Sequence, residues 1–424
     1  MERVSSWPFR AVCAVVLVYV LMRPVGHPEI LYPALALLAV ASAAAVVIGR
    51  RWASQEVVAV AILVVIAGLI AAFVGAGNPG MTQHVLVWVG APLLFAAWAL
   101  GADERMLRTV LSAIAWATVT LSVLILLFVG AQFGLPQVVP QWLIEEGGGG
   151  FNIEQGATAI RLYGLSTLAA AAPMWVVAAF VPPHPLLPPR WLRIVAAGTA
   201  VGATLVGGRN AIVLVLVLVP LAVLGWTALA RRRGPRRIHP LLPYAGLLCI
   251  LAIPWIASNP ALQRTWNNLV GFFADDGSQP DRVIQADRLI TAWLESPWIG
   301  HGLGAVIDGY SRSEARPWNF ELQYHLMLFQ FGIVGLLILG LAAALAVVAL
   351  VRATRARPDM WPVFAVTIAG GLAMSIANAS NPYLQAPGHM WAIWLPLMAA
   401  NVALASRRPT DLTVSKTGRL ALAR

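Results

Sequence analysis

The chain has 424 residues, of which 59% are hydrophobic and 11% charged, with a formal net charge of +11. Soluble domains carry about 25% charged and about 45–50% apolar residues, so this composition excludes an ordinary soluble fold. The two cysteines, Cys13 and Cys249, each lie within an apolar run, which leaves no basis for a disulfide framework or a cysteine metal site.

Apolar runs of the length that crosses a ~30 Å hydrocarbon core recur along the sequence. They predict an all-α, polytopic membrane protein of about twelve transmembrane helices, at 8–25, 29–49, 57–76, 82–100, 109–131, 160–181, 191–207, 210–230, 240–257, 322–350, 361–378 and 389–405. Arg3 and Arg10 precede the first run, and no small-residue cleavage site follows it, so it reads as an uncleaved span. Residues 1–257 form an N-terminal bundle of about nine spans. Its loop 132–159 contains four consecutive glycines and reads as a mobile segment able to act as a lid. Residues 258–321 form one large, partly helical extracytoplasmic loop, 322–406 a C-terminal bundle of about three spans, and 407–424 a cytoplasmic tail.

The arginines set the orientation, because basic residues concentrate in cytoplasmic loops. With the N-terminus inside, Arg50, Arg51, Arg105, Arg108, Arg190, Arg193, the run from Arg231 to Arg237, Arg352, Arg355, Arg357, Arg407 and Arg408 all fall on the inner face. Both termini are then cytoplasmic. This placement accounts for the net charge, and no nucleic-acid partner is expected. It also isolates Arg161, Arg209, Arg282 and Arg288 on the outer face, where arginine is disfavoured. Arginine suits phosphate, since its planar fork makes two parallel hydrogen bonds. Taken singly, each is equally a snorkelling or salt-bridged surface residue.

Within the outer loop, the apolar spacing of Val283, Ile284, Leu289, Ile290, Trp293 and Leu294 predicts an amphipathic helix over 281–296. On it Arg282, Ala286, Leu289 and Trp293 share a face and Arg288 points elsewhere. Pro297 ends the helix. Gly300, Gly302 and Gly304 then permit close backbone approach or positive φ, without the strand and helix that frame a dinucleotide site. Asp275 and Asp276 lie among Gly, Ser and Pro and read as a solvated loop. At the next span, Glu321, Tyr324, His325 and Leu328 have the spacing of one helix face. A carboxylate and an imidazole one turn apart suit proton handling, or merely mark an interfacial helix end. Seven scattered histidines and no His-Glu-x-x-His pattern mean that no metal and no cofactor are expected.

Four stretches between about 155 and 345 resemble the O-antigen ligase and polymerase family of polytopic bacterial membrane proteins. Arg161 to Gly164 is similar to an Arg-x-x-Gly at the outer start of a span. Thr204 to Ala211, around Arg209, is similar to a small-residue/Arg junction, with Gly208 and Asn210 in place of a serine and a glycine. Arg282 with Pro297, Gly300, Gly302 and Gly304 resembles an arginine followed by a Pro-x-x-Gly-x-Gly turn. Glu321 to Gly335 resembles the motif entering the next span, although glutamate stands at Glu321 where ligases have histidine, and His325 follows one turn later. That departure favours a polymerase or another glycan transferase over a ligase.

The resemblance implies a GT-C-like membrane glycosyltransferase of the bacterial inner membrane. It implies transfer, without a metal, from a polyprenyl-diphosphate-linked glycan to a hydroxyl of a glycan or lipid acceptor outside the membrane. Carried onto this chain, Arg161, Arg209 and Arg282 bind the diphosphate, Arg288 is a weaker candidate, Glu321 or His325 takes the acceptor proton, and Tyr324 lines the site. The alternative is a transporter for an anionic solute or lipid-linked glycan. Such a protein is expected to place charges near the bilayer midplane, whereas here the span centres are nearly charge-free. A polyprenyl-monophosphate donor calls for a carboxylate in the first outer loop, which offers only His27 and Glu29.

Overall fold

A computed structural model describes residues 6–25, 28–49, 53–132, 134–146, 150–154, 157–161, 163–207, 209–230 and 280–405. The body is helical: α1 (Ser6–Met22), α2 (Pro28–Gly49), α3 (Gln55–Val74), α4 (Met81–Val85), α5 (Ala91–Leu100), α6 (Glu104–Gln132), α7 (Gln141–Glu146), α8 (Leu168–Phe180), α9 (Arg190–Val206), α10 (Asn210–Ala230), α11 (Pro280–Glu295), α12 (Gln323–Ala356), α13 (Trp361–Ala377) and α14 (Trp391–Ala405). A π-helical turn, Leu86–Gly90, joins α4 to α5. Helices satisfy every backbone group within one segment, which is what lets apolar chain exist inside lipid.

Among the described residues seven helices are long and apolar enough to cross a membrane: Glu29–Val47, Gln55–Val74, Met81–Leu100, Glu104–Ala131, Gln323–Ala356, Pro358–Ala377 and Pro387–Ala405. Trp7–Met22, Gly164–Phe180 and Ala211–Thr227 are apolar but shorter. The chain is a multi-pass membrane protein. The expected span at 240–257, with the first part of the large loop, Asp275, Asp276, Cys249 and the tail 407–424, lies outside the described residues.

The segment 132–159, expected as a mobile loop, carries secondary structure among its described residues. It contains the short helix α7 and part of an antiparallel hairpin, β1 (Gly150–Glu154) and β2 (Ala157–Arg161), which pairs Gly150 with Arg161 and Glu154 with Ala157. The expected sixth span is correspondingly shorter. Arg161 closes a strand, a 3₁₀ turn runs over Tyr163–Thr167, and the α-helix begins at Leu168.

The bundle core is built by small residues meeting large ones. Ala169, Ala170, Ala171 and Ala172 on α8 are fully buried, as are Trp98, Trp175 and Trp391. Methyl-sized side chains let helix backbones approach closely where no hydrophobic effect drives association in lipid. The Trp175 indole donates to Thr118 Oγ1 at 3.0 Å, and that hydroxyl donates to Ile114 O at 2.7 Å.

Charges sort to one end of the bundle. There Arg352 pairs with Glu56 at 2.5 Å, and Arg357 pairs with Glu104 at 3.1 Å and Asp359 at 2.9 Å. Arg193 sits at the same end, but it is buried and donates from Nη1 to Ala178 O at 2.7 Å and Val181 O at 3.2 Å. It therefore caps α8, whose final carbonyls have no partner within the helix. Arg193→Leu is expected to leave those carbonyls unpaired, at about 1–3 kcal/mol. A lowered unfolding temperature in detergent checks this, with the exposed neighbour Arg190→Leu expected to leave it unchanged.

Candidate active site at the opposite end

The other end of the bundle gathers the large loop, the Tyr163–Thr167 turn, the start of α10 and the segment between α13 and α14. Here α11 starts at Pro280, a residue favoured in the first helical turn, and continues without glycine or proline to Glu295. Gln285 and Leu289 on its inner face are buried, Arg282 and Ala286 are half-buried, and Val283, Ile284 and Arg288 are exposed. Arg282 and Arg288 thus fall on the expected sides, whereas Val283, Ile284 and Leu294 of the expected apolar stripe are exposed. Leu289 packs with Ala305, Phe320, Leu326 and Phe329 in a small apolar cluster separate from the bundle core.

Beyond Pro297 the chain locks into α12 by exchanging backbone partners. Gly332 interrupts α12 with φ 60° and ψ −172°, a conformation essentially confined to glycine. The amides that follow the break, Ile333 N and Val334 N, donate to Pro297 O (2.9 Å) and Trp298 O (3.0 Å). The carbonyls preceding it, Phe329 O and Gln330 O, accept from His301 N (2.9 Å) and Gly302 N (3.0 Å). Gly300, Gly302 and Gly304 have φ of 69°, 80° and 71°, as their spacing suggested. Leu303 N bonds Ala71 O at 2.8 Å, and Gly300 N bonds Ser296 O at 2.9 Å. The amides of residues 300–303 are therefore committed to backbone partners. It is a clasp for the loop rather than a phosphate cradle.

The clasp sets where Glu321 lies. Gln285 Oε1 accepts from Glu321 N at 2.9 Å and Leu322 N at 3.0 Å, tying this strand of loop to the inner face of α11. Arg282, one turn earlier on that face, donates from Nε to Glu321 Oε2 at 3.1 Å. Arg312 pairs with the other carboxylate oxygen. Leu322 has φ −82° and ψ 84°, so α12 begins only at Gln323. The expected one-turn stack of Glu321 on His325 therefore does not form, because Glu321 precedes the helix and turns towards α11. His325 is half-buried and its side chain makes no hydrogen bond among the described residues. Tyr324 is 45% exposed and donates to Ser375 O at 2.6 Å.

The segment between α13 and α14 completes the cluster. Gln385 Nε2 donates to Phe320 O at 2.8 Å, next to Glu321, and Asn378 Oδ1 accepts from Leu384 N at 2.9 Å. The half-buried Tyr383 lies within electrostatic reach of both Arg209 and Arg282. Burial pushes its phenol up to about 12 against the pull of these two guanidiniums, so the hydroxyl keeps its proton. Burial likewise lowers the Arg282 guanidinium from its ordinary value, with Tyr383 opposing the shift. A guanidinium nevertheless stays charged at any working pH. Arg209 is exposed at the start of α10, where its carbonyl accepts from Ile212 N at 2.9 Å and Val213 N at 3.1 Å.

Of the expected site residues, Arg282 and Glu321 pair directly, Arg209 shares electrostatic reach of Tyr383 with Arg282, and Arg288 faces away. The Arg161 side chain lies outside the described part of the structure. Gly164, three residues later, is needed for packing: a Cβ there would meet Met22 O at 2.7 Å. It borders a cavity of about 200 Å³ between α1, α6 and α7, lined mainly by Leu121, Leu124, Ile125, Phe128, Val139 and Leu143. Arg312, Gln285 and Tyr383 were not anticipated as site residues. Among the described residues no three His, Cys, Asp or Glu side chains group together.

Residues 194–340 match the family model for O-antigen ligase. That stretch is similar to the O-antigen ligase family. The match covers about a third of the sequence, from within α9 to the middle of α12. It includes Arg209, Arg282, Arg312, Glu321 and the whole clasp, and stops short of Tyr383. No curated protein matches the chain. A stretch similar to an O-antigen ligase domain, in a multi-pass membrane protein, supports a role in cell-surface polysaccharide assembly.

Proposed function

We propose that the protein transfers a glycan from a polyprenyl diphosphate to an acceptor hydroxyl on the extracytoplasmic face of the bacterial inner membrane. The observation that carries this reading is the pairing of Arg282 with Glu321, with Arg209 and Arg282 both in electrostatic reach of Tyr383, at the end of the bundle opposite the arginine-rich one. The positive-inside rule makes that end extracytoplasmic, with both termini cytoplasmic. About twelve spans and a GT-C-like arrangement then follow if 240–257 crosses the membrane.

In the reaction the acceptor oxygen attacks the anomeric carbon, the carbon–oxygen bond to the diphosphate breaks, and the diphosphate leaves with the bonding pair. Arg209 and Arg282, with Arg161 as a further candidate from the sequence, stabilise the charge that develops on the leaving group without a metal. The base is supplied by an exchange of partners. Glu321 is held by Arg282 and Arg312, and the side chains of Arg282 and Glu321 are 28% and 25% exposed. The pair is partly open to water, so a diphosphate of higher charge can compete with Glu321 for Arg282. The freed carboxylate oxygen then takes the acceptor proton. The apolar cavity beside Gly164 suits part of the isoprenoid chain.

The test is release of polyprenyl diphosphate from a lipid-linked oligosaccharide by protein reconstituted in nanodiscs. Arg209→Ala is expected to slow release ~100-fold, the scale of losing one preorganised donor to developing charge. Because Arg209 is exposed, the variant should unfold at the unchanged temperature. Release at the wild-type rate would overturn the assignment. A longer lipid-linked product identifies a polymerase, and transfer to a different carrier a ligase.

A further inference from the structure

Tyr383 lies outside the stretch that matches the family, yet two elements brace it from opposite sides. On one side Gln385, two residues on, bonds the Phe320 carbonyl beside Glu321. On the other, the buried His389 has Nδ1 at 2.6 Å from the Tyr383 carbonyl oxygen. A carbonyl only accepts, so Nδ1 carries the proton and Nε2 the lone pair. Ser166 Oγ, 2.7 Å from Nε2, therefore donates to it. His389 thus bolts the turn carrying Tyr383 to the Tyr163–Thr167 turn, which follows directly on the strand ending in Arg161. The ring centroids of Tyr383 and His389 are 5.8 Å apart, so the imidazole also limits where the phenol can swing.

Resting on the glycosyl-transfer reading above, we propose that Tyr383 is a further diphosphate-binding residue, its hydroxyl donating a hydrogen bond to the leaving group held by Arg209 and Arg282, and that His389 is its positioning residue. The donor state of the hydroxyl is favoured by burial, which keeps the phenol protonated. A neutral O–H within electrostatic reach of two guanidiniums offers an incoming phosphate oxygen a further hydrogen bond and adds no positive charge that would repel them. The arrangement also explains why the segment between α13 and α14 is tied to two other elements by buried side chains rather than left as a plain connection.

The test measures binding of polyprenyl diphosphate, without glycan, to the full-length protein in nanodiscs. Hydrogen bonds to charged groups set the expected scale. Tyr383→Phe keeps the ring and is expected to weaken binding about 10- to 100-fold with unchanged thermal unfolding. His389→Asn keeps a donor for the Tyr383 carbonyl and is expected to stay within about threefold of wild type, whereas His389→Leu loses both bonds and should weaken binding as Tyr383→Phe does. Wild-type affinity in Tyr383→Phe, with affinity lost in Arg209→Ala and Arg282→Ala, overturns this proposal and leaves the transfer reading standing. Wild-type affinity in all three overturns both. Equal losses in His389→Asn and His389→Leu reduce His389 to a packing residue and overturn its positioning role.

Discussion

Gly332→Ala is expected to abolish the folded protein, not merely to slow it. At φ 60° and ψ −172° a side chain carries a backbone strain of about 1–3 kcal/mol before any contact is counted. The added Cβ would sit 2.5 Å from both Gly300 N and Trp298 O, which are backbone atoms and cannot swing aside. Relief requires parting α12 from the 297–302 segment, and that breaks four backbone hydrogen bonds whose donors and acceptors are then left at a crowded site. At roughly 1 kcal/mol net for each, the total approaches the whole stability of a typical domain. Gly340 lies further along the same helix, where a Cβ meets nothing within 4 Å, so Gly340→Ala is the matched comparison. It should behave as wild type or slightly better, since glycine within a helix costs roughly 1 kcal/mol relative to alanine. Monodispersity and thermal unfolding in detergent distinguish the two. A Gly332→Ala protein that unfolds at the wild-type temperature removes the clasp from the account of the fold.

The legible parts of this molecule are those fixed by local periodicity and by charge. Arg282 facing in and Arg288 facing out follow from the 3.6-residue repeat of α11, and Pro297 and the glycines mark its end in any context. The sorting of arginines to one end follows from loop composition alone. What the sequence hid was settled by partners far along the chain. Glu321 looked like the first turn of a helix because its spacing to His325 is helical. Gln285, 36 residues earlier, captures the two amides that such a turn leaves unpaired. Tyr383 reaches the site only through Gln385 and His389, whose partners lie 65 and 223 residues away. Arg193 appeared to be one more topogenic charge, and only the approach of α8 makes it a cap. The hairpin stayed hidden because consecutive glycines at its edge mask the alternation of Phe151 and Ile153.

Arg282→Ala and Glu321→Gln are expected to separate binding from turnover in opposite ways. Removing Arg282 takes a charged donor from the diphosphate in ground state and transition state alike. Affinity for polyprenyl diphosphate should fall, and transfer should fall by about 10²–10³, the loss seen when one preorganised donor to developing charge is deleted. In Glu321→Gln the geometry is nearly conserved, and the amide still accepts a hydrogen bond from Arg282. The competing negative charge is gone, so a diphosphate no longer has to displace a carboxylate. Affinity should therefore stay level or rise while transfer falls by about 10²–10⁴, the usual worth of a positioned general base. A residue that only scaffolds the arginines would lower both quantities together. His325, whose side chain has no hydrogen-bond partner among the described residues, should tolerate replacement by alanine with a change of no more than a few-fold in either quantity. If Glu321→Gln instead transfers normally and His325→Ala does not, the proton goes to the imidazole and the exchange of partners at Arg282 serves binding alone. Measuring affinity and single-turnover transfer on the same four proteins decides between these outcomes, because each mechanism moves a different pair of numbers.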